Sequence, residues 1–260
     1  MRLLVLLFAL GLPALPQQTV RVLSYNIHHA EGMDGKIDLP RVAGVIRSVD
    51  PDVVALQEVD IRTQRSGGVD QLLELARLTG LQPVFGQTIS HQGGIYGNAI
   101  LARRPVAGFS NHPLAGREPR GVIDALLAPP PGVTGQAAFH FLATHLDLNE
   151  PDRLAAAARI EQIVTSWPEA SPAILAGDMN AVPGSQPIAA LSRVWAPVAG
   201  AAPLLTSPAG SPKRQIDYIF FRPAARWRVV EVRVLDEAVA SDHRPLFAVV
   251  ELLQPDGTPR

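Results

Sequence analysis

The sequence predicts an α/β fold, one domain of large mixed sheets with helices on the outside, and three observations carry that expectation. Apolar runs of strand length outnumber runs of helical period, and the two kinds are interleaved. The strand-like runs between residues 81 and 144 follow one another without a helix, which argues against a parallel doubly wound sheet. No repeat or linker divides the 260 residues, and a 47% hydrophobic content supplies one sizeable core.

Each element has a local reason. Thr19–Tyr25 is β-branched and partly alternating, so it reads as a strand, and Gly32, Asp34 and Gly35 mark the loop after it. Asp38 caps a helix with Pro40 in its first turn. Val42, Val45, Ile46 and Val49 follow at helical spacing, and Asp50-Pro51 stops it. Val53–Leu56 is a short buried strand, and Leu72, Leu73, Leu75, Ala76 and Leu78 form a helix ending at Gly80. Strands are expected over 81–86, 95–102, 106–110, 121–128 and 137–144, with a turn at Pro129–Gly132. Pro151 opens a helix whose Leu154, Ile160, Ile163, Val164 and Trp167 make one stripe. Ala173–Ala176 is another buried strand, and 197–213 reads as a long loop. Ile216–Phe221, Trp227–Leu235 and Leu246–Leu252 are the last strands.

Composition narrows the function. The charged fraction is 18% and the formal net charge −1, so the chain has neither the charge nor the polarity of a disordered segment. The same balance carries no general nucleic-acid footprint. Zero cysteines exclude disulfides, thiolate metal sites and a cysteine nucleophile. At the N-terminus Arg2 precedes a ten-residue apolar run, Leu3–Leu12. A membrane-spanning helix needs about 20 residues. The run instead suits the apolar centre of a secretory signal over residues 1–17, and export to the periplasm or beyond is expected. An uncleaved anchor is the alternative. The folded domain is then 18–255.

The polar residues follow a rule. Strand after strand ends in a carboxylate, an amide or an imidazole: Tyr25 runs into Asn26, Leu56-Gln57 into Glu58, Thr144 into His145, and Gly177 into Asp178 and Asn180. Asp217 opens a strand, and Asp242-His243 precedes the last one. Singly, each has a plain alternative: a turn former at Asn26 or Asp178, a solvated Glu58, a satisfied buried His145, or an Asp217 paired with Arg214. Together they share one end of adjacent strands, where side chains converge on a cleft. His28-His29 lacks further ligand spacing and makes a weak zinc signal.

These residues carry a resemblance. Ser24-Tyr25-Asn26, Leu56-Gln57-Glu58, Gly97-Asn98-Ala99, Thr144-His145, Gly177-Asp178-Met179-Asn180, Ile216-Asp217-Tyr218 and Ser241-Asp242-His243 stand in the order of the endonuclease/exonuclease/phosphatase superfamily and cover about residues 20–250. The resemblance implies a four-layer sandwich, two mixed sheets packed face to face with helices outside. It implies a divalent-metal-dependent phosphoesterase in which Glu58 is the principal ligand and Asn26 and Asp242 complete the metal site. An oxygen shell suits Mg²⁺, with Mn²⁺ as a substitute. Asp178 and Asn180 would orient the attacking water, with Asp178 as its base. His243, oriented by Asp217, would contact the phosphate, and His145 would donate to it. Asn98, Arg103 and Arg153 are the candidate phosphate-binding or supporting groups.

The substrate leans towards a lipid headgroup or small phosphodiester. The segment Tyr25–Lys36, with Arg65-Ser66-Gly67 and Asp70-Gln71, is similar to sphingomyelinase-like bacterial members. A secreted DNA or RNA nuclease is the alternative. A non-catalytic binding module would have lost one of Glu58, Asp178, Asn180, Asp217 or His243, and none is lost. A monomer with no protein partner is expected.

Overall fold

The computed structural model describes residues 18–254, so the signal segment expected over 1–17 lies outside the described residues. The first sheet takes β1 (Gln18–Asn26), β2 (Val53–Ile61), β3 (Gln82–His91) and β4 (Gly94–Ala102). The second takes β5 (Val106–Leu114), β6 (Arg120–Leu127), β7 (Phe139–His145), β8 (Ala173–Asp178), β9 (Ala196–Pro197) and β10 (Asp217–Arg222). The chain then returns to the first sheet with β11 (Trp227–Val234) and β12 (Leu246–Leu252). Strand order is β11-β12-β1-β2-β4-β3 in one and β5-β6-β7-β8-β10-β9 in the other. Each sheet has a single parallel pair, β1 with β2 and β7 with β8, and the other pairs are antiparallel.

The parallel pairs need crossovers, and helices supply them. Between β1 and β2 runs α1 (Leu39–Ser48), capped by Asp38, whose side chain accepts from the Arg41 N–H. After β2 comes α2 (Gln71–Thr79), closed by Gly80 in the left-handed conformation. Between β7 and β8 runs α3 (Glu150–Thr165), and α4 (Gln186–Leu191) follows β8. The apolar faces of α1 and α2 pack on the outer side of the first sheet, and those of α3 and α4 on the outer side of the second. Between the sheets lies a third apolar layer fed by both, including Val22, Ala55, Phe141, Ile174 and Ile219. The result is the four-layer sandwich.

Several strands outrun their expected ends. β5 continues to Leu114 although its residues 107–111 are exposed, because an edge strand needs no apolar alternation. α4, six residues with Pro187 in its first turn, falls where no helix was expected. Leu154 and Trp167 are only half-buried, and Ala156 and Ala157 complete the α3 stripe instead. Trp167 lies past the helix end and stacks on His140 at 3.9 Å between ring centroids.

Candidate active site

Side chains alternate along a strand, so each strand sends one row into the space between the sheets. Those rows are apolar until the strand end, except that a buried Ser24 precedes Asn26 in β1. Val20 and Val22 lead to Asn26; Val53 and Ala55 to Gln57; Phe141 and Ala143 to His145; Ile174 and Ala176 to Asp178; Phe221 and Ile219 to Asp217. Both sheets therefore end their shared core in polar groups at the same end. Glu58 breaks the alternation. Gln57 and Glu58 together stand opposite the single residue Asn98 in the pairing of β2 with β4, one residue more than the ladder needs, and Glu58 has φ +61°. Such a bulge re-aims a side chain.

The second sheet holds an acid–imidazole cluster. Asp178 stands opposite Asp217 across one strand pair and beside His145 across the other. Its Oδ2 lies 3.5 Å from His145 Nε2 and 3.8 Å from His243 Nε2. Its Oδ1 accepts the Asn180 N–H at 2.8 Å. Asp217 Oδ2 accepts from His243 Nδ1 at 2.9 Å and from Thr206 Oγ1 at 2.5 Å. Asn180 donates its amide to His145 Nε2 at 3.0 Å and to the Leu146 carbonyl at 2.9 Å. Gly177 lets β7 and β8 come this close, because a Cβ there would sit 1.9 Å from the Thr144 carbonyl oxygen.

Electrostatics separate the members. Burial pushes the Asp178 carboxyl above its ordinary range, the Asp217 charge adds to that, and His243 opposes it. Burial pulls His243 down, but Asp217, Asp178 and Asp242 outweigh it and the imidazole is raised to about 10. Burial holds His145 well below its usual value, and the positive charges of Arg120 and His243 push the same way. One histidine is thus held charged and the other neutral.

The first sheet contributes a second group. Asn26 donates from Nδ2 to Glu58 Oε1 at 2.9 Å and to Asp178 Oδ2 at 3.2 Å, so one amide joins the two sheets' carboxylates. Its Oδ1 accepts the His28 N–H at 3.1 Å. Asn26 therefore reaches Glu58 as a donor, not with its oxygen. Ser241 Oγ donates to the Asn26 carbonyl at 2.7 Å, which places half-buried Asp242 beside this strand end. Asn98 is buried and spends its amide on the Gly121 carbonyl at 2.9 Å, a strut between the sheets beneath the site.

The two arginines expected at the phosphate stand in different places. Arg103 follows β4 at the strand end opposite Glu58, since Ala102 pairs with Val53, and it forms ion pairs with Asp50 and Asp52. It is too far along the sheet to serve this cluster. Arg153 lies in the first turn of α3 and gives Nη1 to the Asp147 and Leu148 carbonyls, bracing the segment after His145. Asp217 pairs with His243, not with Arg214, which reaches Ser207. Sequence reasoning missed Arg120. Its Nη1 is 3.2 Å from Glu118 Oε1, its Nε is buried without a hydrogen-bond partner, and its charge acts on both His145 and Tyr96. An arginine at the start of a strand has no local signature, so only the folded neighbourhood reveals it.

The carboxylates of this cluster suit a divalent cation, and His243 would join them only on giving up its proton. Asp178, Asp217 and His243 bring ligand atoms within 4.8 Å of one another, and Asp217 Oδ1 is buried without a partner. A buried carboxylate oxygen lacking a donor is costly unless something positive approaches it.

A two-sheet sandwich whose core opens into carboxylates, amides and imidazoles at one end is the frame of a hydrolase for anionic esters. The chain belongs to the endonuclease/exonuclease/phosphatase family: that family's sequence model matches residues 23–243. Members of the family are hydrolases acting on phosphoesters. The chain is 28% identical over 257 residues to the uncharacterised protein YbhP of Escherichia coli K12, across 92% of this chain and 100% of that one. It is similar to the crystal structure of an endonuclease/exonuclease/phosphatase from Beutenbergia cavernae, with TM-score 0.71 and 28% identity over 90% of this chain and 72% of that one. A mannosyl-6-phosphatase from Bacteroides thetaiotaomicron shares the fold with TM-score 0.74 and 22% identity, over 90% of this chain and 100% of that one. Among the described residues no helix is long and apolar enough to cross a membrane.

Proposed function

We propose that the protein is an exported, divalent-metal-dependent phosphodiesterase that hydrolyses a lipid headgroup or small phosphodiester by attack of an activated water. The observation that supports it best is the meeting of Glu58, Asn26, Asp178, His145 and His243 at one end of both sheets. Glu58 would hold the cation, with Asn26 orienting its carboxylate and Asp242 completing the shell. Taken as oxygens, that set suits Mg²⁺ or Mn²⁺. A bound cation would neutralise charge on the phosphate.

The chain's own groups divide the remaining work. Asp178, its carboxyl pushed towards neutrality, takes the water's proton, and Asn180 fixes Asp178 through the 2.8 Å backbone bond. His243, charged and held by Asp217, stabilises the phosphoryl oxygens. His145 stays neutral beside Asp178, its Nε2 taking the Asn180 amide. Arg120 offers the guanidinium that the sequence reading assigned to Arg103.

The lipid reading draws on exposed apolar side chains near the site in sequence. Leu148 follows His145 by three positions and is 75% exposed, and Val182 and Val239 lie on loops adjoining Asn180 and His243. Met33 is exposed beside Val239, to whose carbonyl it donates. The test is a substrate panel on the mature chain with a chelator control: plasmid, single-stranded DNA, RNA, sphingomyelin, phosphatidylinositol and a chromogenic bis-phosphodiester. Chelator-sensitive headgroup release without nicking is expected. Plasmid nicking would make the protein a nuclease, and activity that survives chelation would overturn the metal reading.

A further inference from the structure

We propose that His28 and His29 join Glu58 as ligands of a divalent cation, so that the site favours a nitrogen-binding transition ion such as Zn²⁺ or Co²⁺ over Mg²⁺. The inference rests on the reading above only in taking Glu58 as a cation ligand. The adjacent histidines lack any ligand spacing along the chain, but folding supplies the third member. One ring nitrogen from each and a Glu58 carboxylate oxygen lie within 4.8 Å of one another. Two imidazoles and a carboxylate, with a position left for water, is a donor set that zinc takes in hydrolases. Imidazole suits zinc and its neighbours far better than Mg²⁺.

Glu31 prepares both rings. Its carbonyl lies 3.2 Å from His28 Nδ1, and its Oε2 lies 3.1 Å from His29 Nε2. With those nitrogens donating to Glu31, His28 Nε2 and His29 Nδ1 keep free lone pairs. A ligating histidine has its other nitrogen fixed by such a partner. His29 Nδ1 is buried with no hydrogen-bond partner, on a side chain only 9% exposed. The backbone is also forced here. His28, His29 and Ala30 have φ of +47°, +43° and +61°, and Glu58 has +61°. Left-handed non-glycine residues cost energy and persist only where their surroundings impose them. Gln71 does so: its Nε2 donates to the His29 carbonyl at 2.6 Å, while its Oε1 accepts the Asp60 N–H at 3.0 Å, two residues from Glu58. One buried amide therefore ties the histidine turn to the strand that carries the carboxylate.

The experiment loads the full chain with one equivalent of Zn²⁺ and reads the ion's X-ray absorption, with calorimetric titration of Zn²⁺ and Mg²⁺ alongside. Two imidazoles per zinc, retained against a large excess of Mg²⁺, are expected. In His28→Gln, a half-buried position that should not disturb folding, one imidazole should vanish and affinity fall at least tenfold. His29 is buried, so its variant is read only after circular dichroism confirms the fold. A single imidazole unchanged by His28→Gln places the ion at Asp178, Asp217 and His243 and overturns the inference. An all-oxygen shell overturns it while leaving the metal-dependent reading intact. Failure to bind any divalent cation overturns both.

Discussion

Asp217 Oδ2 lies 2.9 Å from His243 Nδ1, both side chains are buried, and Thr206 Oγ1 fixes the same carboxylate oxygen. The pair orients the imidazole so that Nε2 faces Asp178 at 3.8 Å. Asp217→Asn removes the charge that most favours the imidazolium and keeps the shape. We expect kcat to fall by a factor on the order of 10² or more with KM changed far less. The His243 titration, followed by NMR, should move down. Unchanged kcat would remove the pair from the mechanism.

The same pair sets the pH dependence of stability. The His243 value in the folded protein, about 10, lies above the ordinary 6.5, so the folded state holds this proton more tightly. That contribution is whole below pH 6.5 and is lost as pH rises through about 10. Asp178 is also raised, so it too costs stability as pH climbs out of the carboxylate range. Metal-free protein should therefore lose thermal stability towards alkaline pH. Asp217→Asn removes the charge that raises both groups and should flatten the profile. Parallel wild-type and variant curves in chelator would contradict the assignment.

Glu58→Gln separates metal binding from folding. The residue is half-buried on a bulge and carries no ion pair among the described residues. Circular dichroism and melting should change little. Divalent-cation affinity should drop by a factor of about 10–100, the range for weakened metal-site residues. Excess metal should partly restore activity. Wild-type affinity in the variant would move the cation site away from this strand end.

Much of this site is legible because it follows strand parity. His145, Asp178 and Asp217 directly follow the inward apolar residues Ala143, Ala176 and Ile219, and Asn26 follows Val22 after the buried Ser24, so the change to polar residues at the strand end is visible in sequence. Glu58 is out of step: its place after the apolar run Val53–Leu56 marks it in sequence, but the bulge that re-aims it has no local signal. Arg103 is near Asn98 in the chain but lies past the far end of β4, where Ala102 pairs with Val53. The His28-His29 pair lacks ligand spacing along the chain, and Glu58, which the fold brings near it, comes from another strand. The helix ends at Asp38 and Gly80 were readable from capping chemistry alone.

Gly177→Ala tests the spacing of the two strands under the site. The added methyl would meet the Thr144 carbonyl oxygen at 1.9 Å, which backbone cannot relieve without moving β8 from β7. We expect destabilisation of about 1–3 kcal/mol. Activity should fall further than stability explains, because Asp178 moves relative to His145. A variant with wild-type kcat would show that this separation is not critical.

Arg120 lies close enough to His145 for its charge to act on the imidazole. Its side chain is 10% exposed, and its Nε is buried with no hydrogen-bond partner although Asp147 Oδ2 lies 3.8 Å away. A guanidinium with an unspent donor beside the catalytic cluster is prepared to accept an anion, because its planar fork matches phosphate oxygens. The charge also holds down the proton affinity of His145. Arg120→Lys keeps the charge and loses the fork; Arg120→Ala loses both. If the arginine binds the phosphoryl group, both variants should raise KM, by roughly tenfold or more, as expected for a lost charge-assisted hydrogen bond. Only the alanine variant should let the His145 titration rise, which NMR can follow in the absence of substrate. A KM unchanged in both variants, with His145 shifted in one, would leave Arg120 as an electrostatic neighbour of the histidine and return the phosphate to His243 and the cation.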